Sequence, residues 1–266
     1  MRRILSELEL ATVCEGARCP NRGECYASGT ATFMILGESC SRDCGFCSIP
    51  HGRLKEPQPD EPARLAEAAR RLGLTYVVVT SVTRDDLPDG GAGHFKKTVA
   101  ALRSLKPAPL VELLVPDFRG DGASVEVVLR ALPDVLGHNL ETIPRLYPAV
   151  RPGADYARSL NLLRRATDAG LTTKTGLMLG LGEDEGELER VYNDIARVGV
   201  DILTLGQYLC PTRDRLPVAR YWRPEEFDVE GERARRIGIP TVAAGPLVRS
   251  SYLAERHFKS NRWRQR

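Results

Sequence analysis

Three cysteines, Cys40, Cys44 and Cys47, lie within eight residues of this 266-residue chain, with the spacing C-x3-C-x2-C. Thiolates are the usual protein ligands of iron–sulfur clusters. A cubane cluster has four irons, so one iron is left open to a small molecule with nitrogen and oxygen donors. Zinc is the rival metal, but structural zinc sites usually close with paired C-x2-4-C knuckles, and no second knuckle follows. Core cysteines or a disulfide are disfavoured, because glycine and charged residues surround these thiols.

A second cysteine triplet, Cys14, Cys19 and Cys25, lies in the segment CEGARCPNRGEC. The content of Gly, Pro and Asn predicts an irregular loop, and a loop with few apolar residues gains little stability from burial. A bound cluster can act as its core, because the free energy of metal binding becomes free energy of folding. Two triplets therefore predict two 4Fe-4S clusters, with a disulfide scaffold as the alternative. The seventh cysteine, Cys210, stands alone and is predicted not to be a ligand.

Composition restricts the class of protein further. The apolar content of 42% and the charged content of 27% are ordinary for a globular protein, and the net charge of +3 is too small to indicate nucleic acid binding. No apolar run approaches the ~18 residues that cross a bilayer, and the N-terminus lacks the apolar core of a secretory signal. Crowded cysteines in such a chain favour a reducing compartment, so we expect a cytoplasmic protein with no nucleic acid or membrane partner. The basic segment 256–266 is predicted to be a solvated tail.

Apolar, β-branched runs alternate with amphipathic segments from Phe33 onward, which favours a parallel sheet covered by helices. Six to seven strand–helix units are fewer than the eight of a closed barrel. We therefore expect an α/β fold with a partial (β/α)6-type parallel barrel, and a doubly wound sheet is the alternative. The expected parts are an N-terminal extension (1–30) with the auxiliary cluster ligands, a barrel (31–245) and a C-terminal segment (246–266). The predicted strands are 33–37, 75–81, 110–115, 135–139, 172–179, 201–205 and 241–244, and the predicted helices are 61–72, 94–105, 125–132, 156–169, 183–198 and 225–237.

Functional residues of parallel α/β folds lie on the loops after the carboxyl ends of the strands. The Cys40 loop follows the first predicted strand. The segment TSVTRDDLPDGG after the second can hydrogen-bond an ammonium group or a ribose, with a solvated turn as the alternative. Polar residues 138–142 follow the fourth strand. Arg145 and Arg151 come next and can bind a carboxylate or form surface ion pairs. The glycines of KTGLMLGLGE allow close approach of a flat ligand or simply a tight turn.

These segments together resemble the lipoyl synthase family of the radical S-adenosylmethionine (SAM) superfamily. The resemblance runs from Thr12 to Glu255 through CEGARCPNRGEC, GTATFMILGESCSRDCGFC, TSVTRDDLPDGG, GHNLETIPRLYPAVRP, TKTGLMLGLGE, GQYLCPT and GPLVRSSY. The two triplets combined with RSSY are highly specific. The rivals are another radical SAM enzyme with an auxiliary cluster (a methylthiotransferase or a biotin-synthase-like enzyme), an iron–sulfur carrier or electron-transfer protein, and a zinc-binding structural protein.

The resemblance implies a role for each motif. The implied ligands of the SAM-cleaving cluster are Cys40, Cys44 and Cys47, and those of an auxiliary cluster are Cys14, Cys19 and Cys25. Ser251 of RSSY would be the fourth auxiliary ligand, with Ser250 as the alternative. The implied cofactor contacts are Ser81, Asn139, Glu141 and Arg151. Arg151 and Arg249 are also implied to orient the peptide or the auxiliary cluster.

The implied reaction inserts two sulfur atoms at carbons 6 and 8 of an octanoyl chain that is amide-linked to a carrier-protein lysine. The auxiliary cluster is implied as the sulfur donor, and two SAM molecules are used per product. The implied partners are octanoylated lipoyl domains of 2-oxoacid dehydrogenases and the glycine cleavage H protein. An electron donor such as ferredoxin or flavodoxin and a cluster-assembly carrier complete this set.

Overall fold

The computed structural model describes residues 1–27 and 30–264 as an α/β protein. The chain forms two compact units. The first comprises Met1–Asp43 and Ser48–Asp134, and the second comprises Cys44–Cys47 and Val135–Arg266. This division differs from the three parts expected from the sequence, and those three parts stay a prediction.

The first unit contains the strands β1 (Ala11–Thr12), β2 (Thr32–Ile35), β3 (Tyr76–Ser81) and β4 (Leu110–Leu114). They lie side by side in chain order, with β1 antiparallel to β2 and the other pairs parallel. Every residue of β2 is buried, as is typical of a strand covered on both faces. Ile35 is paired with Ser81, so the loops after β2 and β3 leave the sheet at the same edge.

The helices of the first unit are α1 (Arg2–Glu7), α2 (Val13–Gly16), α3 (Arg22–Ala27), α4 (Glu61–Arg71), α5 (Ala92–Arg103) and α6 (Gly122–Leu129). The longer helices cover the sheet with apolar faces. In α4 the buried residues Leu65, Ala68 and Ala69 recur at helical spacing, while Arg70 and Arg71 point outward. In α5 the same spacing buries Phe95 and Val99.

The second unit contains β5 (Val135–Gly137), β6 (Thr172–Leu179), β7 (Ile202–Gln207) and β8 (Thr241–Gly245), which are all parallel and again in chain order. Its helices are α7 (Tyr147–Val150), α8 (Tyr156–Asp168), α9 (Glu185–Arg197), α10 (Pro224–Ile237) and α11 (Ala254–Arg264). Two of these helices, α8 and α9, have side-chain caps at their N-termini. Asp155 accepts a hydrogen bond from the Arg158 amide at the start of α8, and Asp184 with Glu187 forms a capping box on α9.

All seven predicted strands and all six predicted helices are present, with ends shifted by a few residues. Each of the seven strands β2 to β8 precedes a helix, and this agrees with the six to seven strand–helix units predicted. One local prediction is wrong: CEGARCPNRGEC is not an irregular loop throughout, because Cys14 lies in α2 and Cys25 in α3. The Thr12 side chain caps α2 by accepting a hydrogen bond from the Glu15 amide, so a local polar contact supports a helix that lacks apolar periodicity.

None of the helices in residues 1–27 and 30–264 has both the length and the apolar character that crossing a bilayer requires.

The C-terminal segment also differs from its prediction as a solvated tail. Residues 256–264 lie in α11, which contacts β7 and β8, and residues 265–266 lie outside the described part of the chain. Ala254 and Phe258 are 3% and 4% exposed, and their spacing places both on one face of the helix. Lys259 lies on the solvent side and pairs with Glu255. Two apolar residues one turn apart therefore dock a segment whose overall composition is basic.

We expect Phe258→Ala to destabilise the protein by about 3–5 kcal/mol, the usual result of truncating a buried aromatic side chain. The denaturation midpoint in urea, followed by circular dichroism, measures the change. Lys259→Ala is the matched control, because its exposed side chain should contribute less than about 0.5 kcal/mol. Equal midpoints for the two variants would show that α11 is not docked.

Candidate iron–sulfur and cofactor site

Cys40 lies on the loop after β2, and two backbone N–H groups point at its sulfur. The amides of Arg42 and Thr83 donate to Cys40 Sγ at 3.4 and 3.3 Å. The Ser41 amide donates to the Thr83 carbonyl at 2.9 Å, so the loop runs alongside the segment that follows β3. Hydrogen bonds to sulfur stabilise negative charge there, so these surroundings fit a thiolate that ligates an iron cluster.

The Arg42 side chain fixes this loop through a buried ionic network. It donates to both carboxylate oxygens of Asp85 at 2.6 and 2.9 Å, and to Asp117 Oδ1 at 2.7 Å. The side chains of Arg42 and Asp117 are 8% and 0% exposed. Burial disfavours the charged guanidinium, but the hydrogen bonds to Asp85 and Asp117 outweigh it and raise the pKa of Arg42. The Arg42 guanidinium is therefore positively charged in the folded protein.

A second arginine holds the start of the same loop. Arg84 Nη1 donates to the Leu36 carbonyl at 3.0 Å, while its other nitrogens bind Asp86. The Leu36 amide donates to Glu61 Oε2 at 2.9 Å, and Leu36 has a φ of 69°, in the left-handed region. Buried charged groups on both sides thus maintain a strained backbone immediately before the cysteines.

These contacts revise the interpretation of the TSVTRDD segment. Its side chains at Arg84, Asp85 and Asp86 bind groups within the protein instead of being free for the ammonium group or ribose that the sequence suggested. A solvated turn does not describe them either, because Arg84 is only 2% exposed. Ser81, at the end of β3, differs: in the described part of the chain its buried hydroxyl has no hydrogen-bond partner. An unsatisfied polar atom at the carboxyl end of a strand fits a ligand contact.

The thiols of Cys14, Cys19 and Cys25 lie close enough together to affect one another's pKa. Burial raises the pKa of Cys14, and Cys19 adds to the effect. The pKa of Cys25 is raised to about 11 by burial and then by the nearby thiols of Cys14 and Cys19. A positively charged iron core is the kind of partner that allows three neighbouring thiols to be thiolates together, so the donor set fits a cluster.

None of the seven cysteines, all of which lie in the described part of the chain, forms a disulfide. Within residues 1–27 and 30–264, no three His, Cys, Asp or Glu side chains converge as the ligands of a single metal ion do. In a cubane cluster each thiolate binds a different iron, so its ligands need not converge on one point.

Cys44 and Cys47 form a tight turn in the second unit, where the Cys47 amide donates to the Cys44 carbonyl at 3.0 Å. Gly45 anchors this turn: its amide donates to the Val150 carbonyl, and its own carbonyl accepts from the Leu216 amide. A Cβ at Gly45 would lie 2.9 Å from the Ala149 carbonyl oxygen, too close for any side chain. Glycine is required here by the close approach of backbone.

The polar residues after β5 form a hydrogen-bonded chain with the RSSY motif. Ser250 Oγ donates to Asn139 Oδ1 at 2.8 Å, and Asn139 Nδ2 donates to Glu141 Oε1 at 3.0 Å. Glu141 has a φ of 65° and is held by backbone hydrogen bonds to Gly176 and Met178 of β6. Burial raises the pKa of the Glu141 carboxyl, while the positive charge of Arg151 opposes this shift.

Arg151 and Arg145 have different environments. Arg151 Nη1 donates to the carbonyls of Asn139 and Leu140 at 2.8 and 3.1 Å, so it fixes the loop that carries Asn139. Its buried Nε has no partner among the described residues. Arg145 instead forms an ion pair with Glu187 toward solvent, which is the surface alternative considered for it.

The RSSY turn packs on β7 through a glycine. A Cβ on Gly206 would lie 2.0 Å from the Val248 carbonyl oxygen, and Arg249 Nη1 donates to that same carbonyl at 2.7 Å. Ser251 is partly buried, and none of the described residues hydrogen-bonds to its hydroxyl. The two serines are therefore distinct: Ser250 is engaged by Asn139, and Ser251 is available to a ligand.

Several residues that shape the site were not predicted as functional from the sequence, namely Arg42, Asp117 and Gly206. Arg42 carries a recognisable signal, since a single cationic side chain stands between two cysteines of a cluster motif. Asp117 and Gly206 have no such signal in the sequence, because their role depends on contacts with distant segments. Cys210 is exposed, with its sulfur beside the Thr212 carbonyl, and no second observation makes it a ligand.

Comparison with known structures supports the fold. SuiB bound to its precursor peptide SuiA, from Streptococcus suis, superposes with a TM-score of 0.62 at 12% identity, covering 85% of this chain and 52% of SuiB. The hydrogenase maturase HydG gives a TM-score of 0.57 at 14% identity, covering 86% of this chain and 62% of HydG. The chain thus spans about half to two thirds of these larger proteins.

The model of the radical SAM superfamily matches residues 34–195, and the chain is a radical SAM enzyme with the partial-barrel fold predicted from its sequence. Two bacterial lipoyl synthases share more than half of its residues. The protein of Nitratidesulfovibrio vulgaris strain Hildenborough is 53% identical over 97% of this chain and 87% of its own length. That of Citrifermentans bemidjiense is 54% identical over 98% of this chain and 90% of its own length. The chain therefore belongs to the lipoyl synthase family, whose members use 4Fe-4S clusters and SAM.

Gly206→Ala should displace the RSSY turn, because the added methyl group meets backbone that cannot rotate away. We expect a destabilisation of about 1–3 kcal/mol, measured as a lower denaturation midpoint. Gly186→Ala is the control, since its Cβ meets only side-chain atoms at ordinary contact distances, Asp184 Oδ1 at 3.4 Å and Arg190 Nη1 at 3.7 Å, and a helical position favours alanine. A Gly206→Ala variant as stable as Gly186→Ala would contradict the contact.

Proposed function

We propose that this lipoyl synthase inserts two sulfur atoms, at carbons 6 and 8 of an octanoyl chain held in amide linkage by a lysine of a carrier protein. The observation that carries the proposal is the presence of two separate sets of three cysteines outside any disulfide, together with an RSSY turn whose Ser251 hydroxyl has no hydrogen-bond partner among the described residues. One open iron for SAM and one auxiliary cluster for sulfur account for both sets.

Cys40, Cys44 and Cys47 would hold the cluster that binds SAM. When bound, this cluster supplies one electron that splits SAM into methionine and a 5′-deoxyadenosyl radical. The protein contributes orientation: Arg42 and Thr83 amides face Cys40, and Gly45 fixes the turn between the other two cysteines. The target carbons are unactivated, so no side-chain base can remove their hydrogens at a useful rate, and a radical is required.

Ser81, Asn139 and Glu141 are the SAM contacts that we propose. The unpaired hydroxyl of Ser81 can donate to a ligand oxygen, and the Glu141 carboxylate can accept from an ammonium group. Burial raises the pKa of Glu141, and the positive charge of Arg151, which also holds the backbone of Asn139, opposes that shift. Ser81 ends β3, and Asn139 and Glu141 follow β5; ligands of parallel α/β folds bind at such carboxyl ends of strands.

Cys14, Cys19 and Cys25 would hold the auxiliary cluster that donates sulfur, with Ser251 as its fourth ligand. The hydrogen bond between Ser250 and Asn139 supports this choice, because it leaves Ser251 as the free hydroxyl. A serine oxygen is a harder donor than thiolate and suits an iron that is lost as the cluster is consumed. Arg249, anchored to the Val248 carbonyl, orients this turn.

The proposed substrates are octanoylated carrier proteins, namely lipoyl domains of 2-oxoacid dehydrogenases and the glycine cleavage H protein. A low-potential donor such as ferredoxin or flavodoxin supplies electrons, and a cluster-assembly carrier rebuilds the auxiliary cluster. Cysteines that form no disulfide are compatible with the reducing cytoplasm that we propose as its location.

Anaerobic single-turnover mass spectrometry tests the reaction. Reconstituted enzyme is mixed with SAM, a low-potential reductant and a peptide that carries octanoyl-lysine. We expect the peptide to gain two sulfur atoms while two molecules of 5′-deoxyadenosine form per product. SAM cleavage without sulfur gain by the peptide would contradict the proposed substrate. Absence of SAM cleavage by iron-loaded enzyme would contradict the assignment of the Cys40 cluster.

Alanine substitutions at the two serines of RSSY should have different effects on sulfur insertion and SAM binding. Ser251→Ala is expected to abolish sulfur insertion while SAM cleavage continues, because only the auxiliary cluster loses a ligand. Ser250→Ala should keep sulfur insertion and raise the KM for SAM several-fold through the loosened Asn139 side chain. Both variants are assayed for deoxyadenosine and sulfur content of the peptide. The reverse pattern would make Ser250 the ligand.

A further inference from the structure

The cysteine loop in the first unit has a feature that the sulfur-insertion reaction does not explain. Arg42 donates hydrogen bonds through Nε and Nη2 to two carboxylates from separate loops, Asp85 after β3 and Asp117 after β4. The side chain of Asp117 is fully buried. Asp85 has a second link to the cysteine loop, because its backbone amide donates to Ser41 Oγ at 3.0 Å. Three loops are thus joined around one guanidinium.

The backbone of Arg42 is itself part of the sulfur environment. Its amide is one of the two donors to Cys40 Sγ, and the other donor, Thr83, lies two residues before Asp85. The side-chain network therefore fixes the positions of both N–H groups relative to the sulfur. Moving Arg42 or Asp85 displaces at least one donor, whereas the cysteine stays in place through the hydrogen bond from its own amide to the Pro50 carbonyl.

We propose that Arg42 is a positioning residue that sets the reduction potential of the SAM-cleaving cluster by holding two N–H donors on the Cys40 sulfur. The proposal rests on the role of Cys40 given above. Hydrogen bonds to ligating sulfurs stabilise the more negative, reduced form of an iron–sulfur cluster and raise its potential. Arg42 thereby controls how readily the cluster accepts the electron on which SAM cleavage depends.

Arg42→Lys and Asp85→Glu test this, because each keeps the local charge and disturbs only the geometry. Lysine cannot bind two oxygens of Asp85 and one of Asp117 together, and glutamate is one methylene too long. Arg70→Lys is the matched control, since Arg70 pairs with Glu67 on the exposed side of α4. Each purified, reconstituted protein is titrated with reductant, and the cluster whose electron paramagnetic resonance signal changes on adding SAM is followed.

We expect the ratio of reduced to oxidised cluster at a fixed solution potential to fall about tenfold in both test variants, the effect of losing one hydrogen bond to a charged group. For a one-electron couple this corresponds to a midpoint lower by about 59 mV. Iron content should match the wild type, and Arg70→Lys should titrate like the wild type. A role confined to folding would instead lower iron content or thermal stability without moving the potential of the clusters that form.

An unchanged potential in either variant that retains its cluster overturns the proposal, and so does loss of the cluster from both. The wild-type control separates this failure from failure of the proposed function. If the wild type shows no SAM-responsive cluster, the role of Cys40 is wrong. If the wild type cleaves SAM and the variants titrate normally, only the role of Arg42 is wrong.

Discussion

The bond between Arg42 and its two carboxylates is the constraint on which the arrangement of the first unit's site depends. A charge buried to this degree is stable only when its hydrogen bonds are made, and here they are made by Asp85 and Asp117 from two different loops. Removing Arg42 would deprive both carboxylates of the donor that they share. The ionic network therefore enforces one geometry of the cysteine loop, and the thiol of Cys40 has a defined position before any iron is bound.

Sequence periodicity predicts most of this fold because the strands are buried on both faces and the long helices are amphipathic. Thr172–Leu179 is predicted to the residue, since a β-branched, apolar run is bounded by Gly170 and Gly180. The prediction fails where local polar contacts or sparse apolar residues decide the structure. The short helix α2 depends on a cap from Thr12, and α11 depends on two apolar residues in a basic segment.

The cysteine triplets are predicted as cluster ligands because ligand spacing is a local property of the sequence, and this assignment stays a prediction. Most of the groups that place those cysteines are not predictable from the sequence, because they act across the fold. Asp117 is 75 residues from Arg42, and nothing in its neighbours marks it as a partner. The TRDD segment shows the opposite case. Its sequence predicts ligand-binding side chains, but Asp85 and Arg84 bind the side chain and backbone of other residues of the protein.

The hydrogen bond between Ser250 and Asn139 joins residues that are 111 positions apart, one at the end of the fifth strand and one just before the last helix. During synthesis the segment up to Asn139 emerges and can fold before RSSY exists. The hydrogen bond to Asn139 therefore forms only after the RSSY segment has also left the ribosome. A chain that stops before RSSY keeps both cysteine triplets but lacks the serine that engages Asn139.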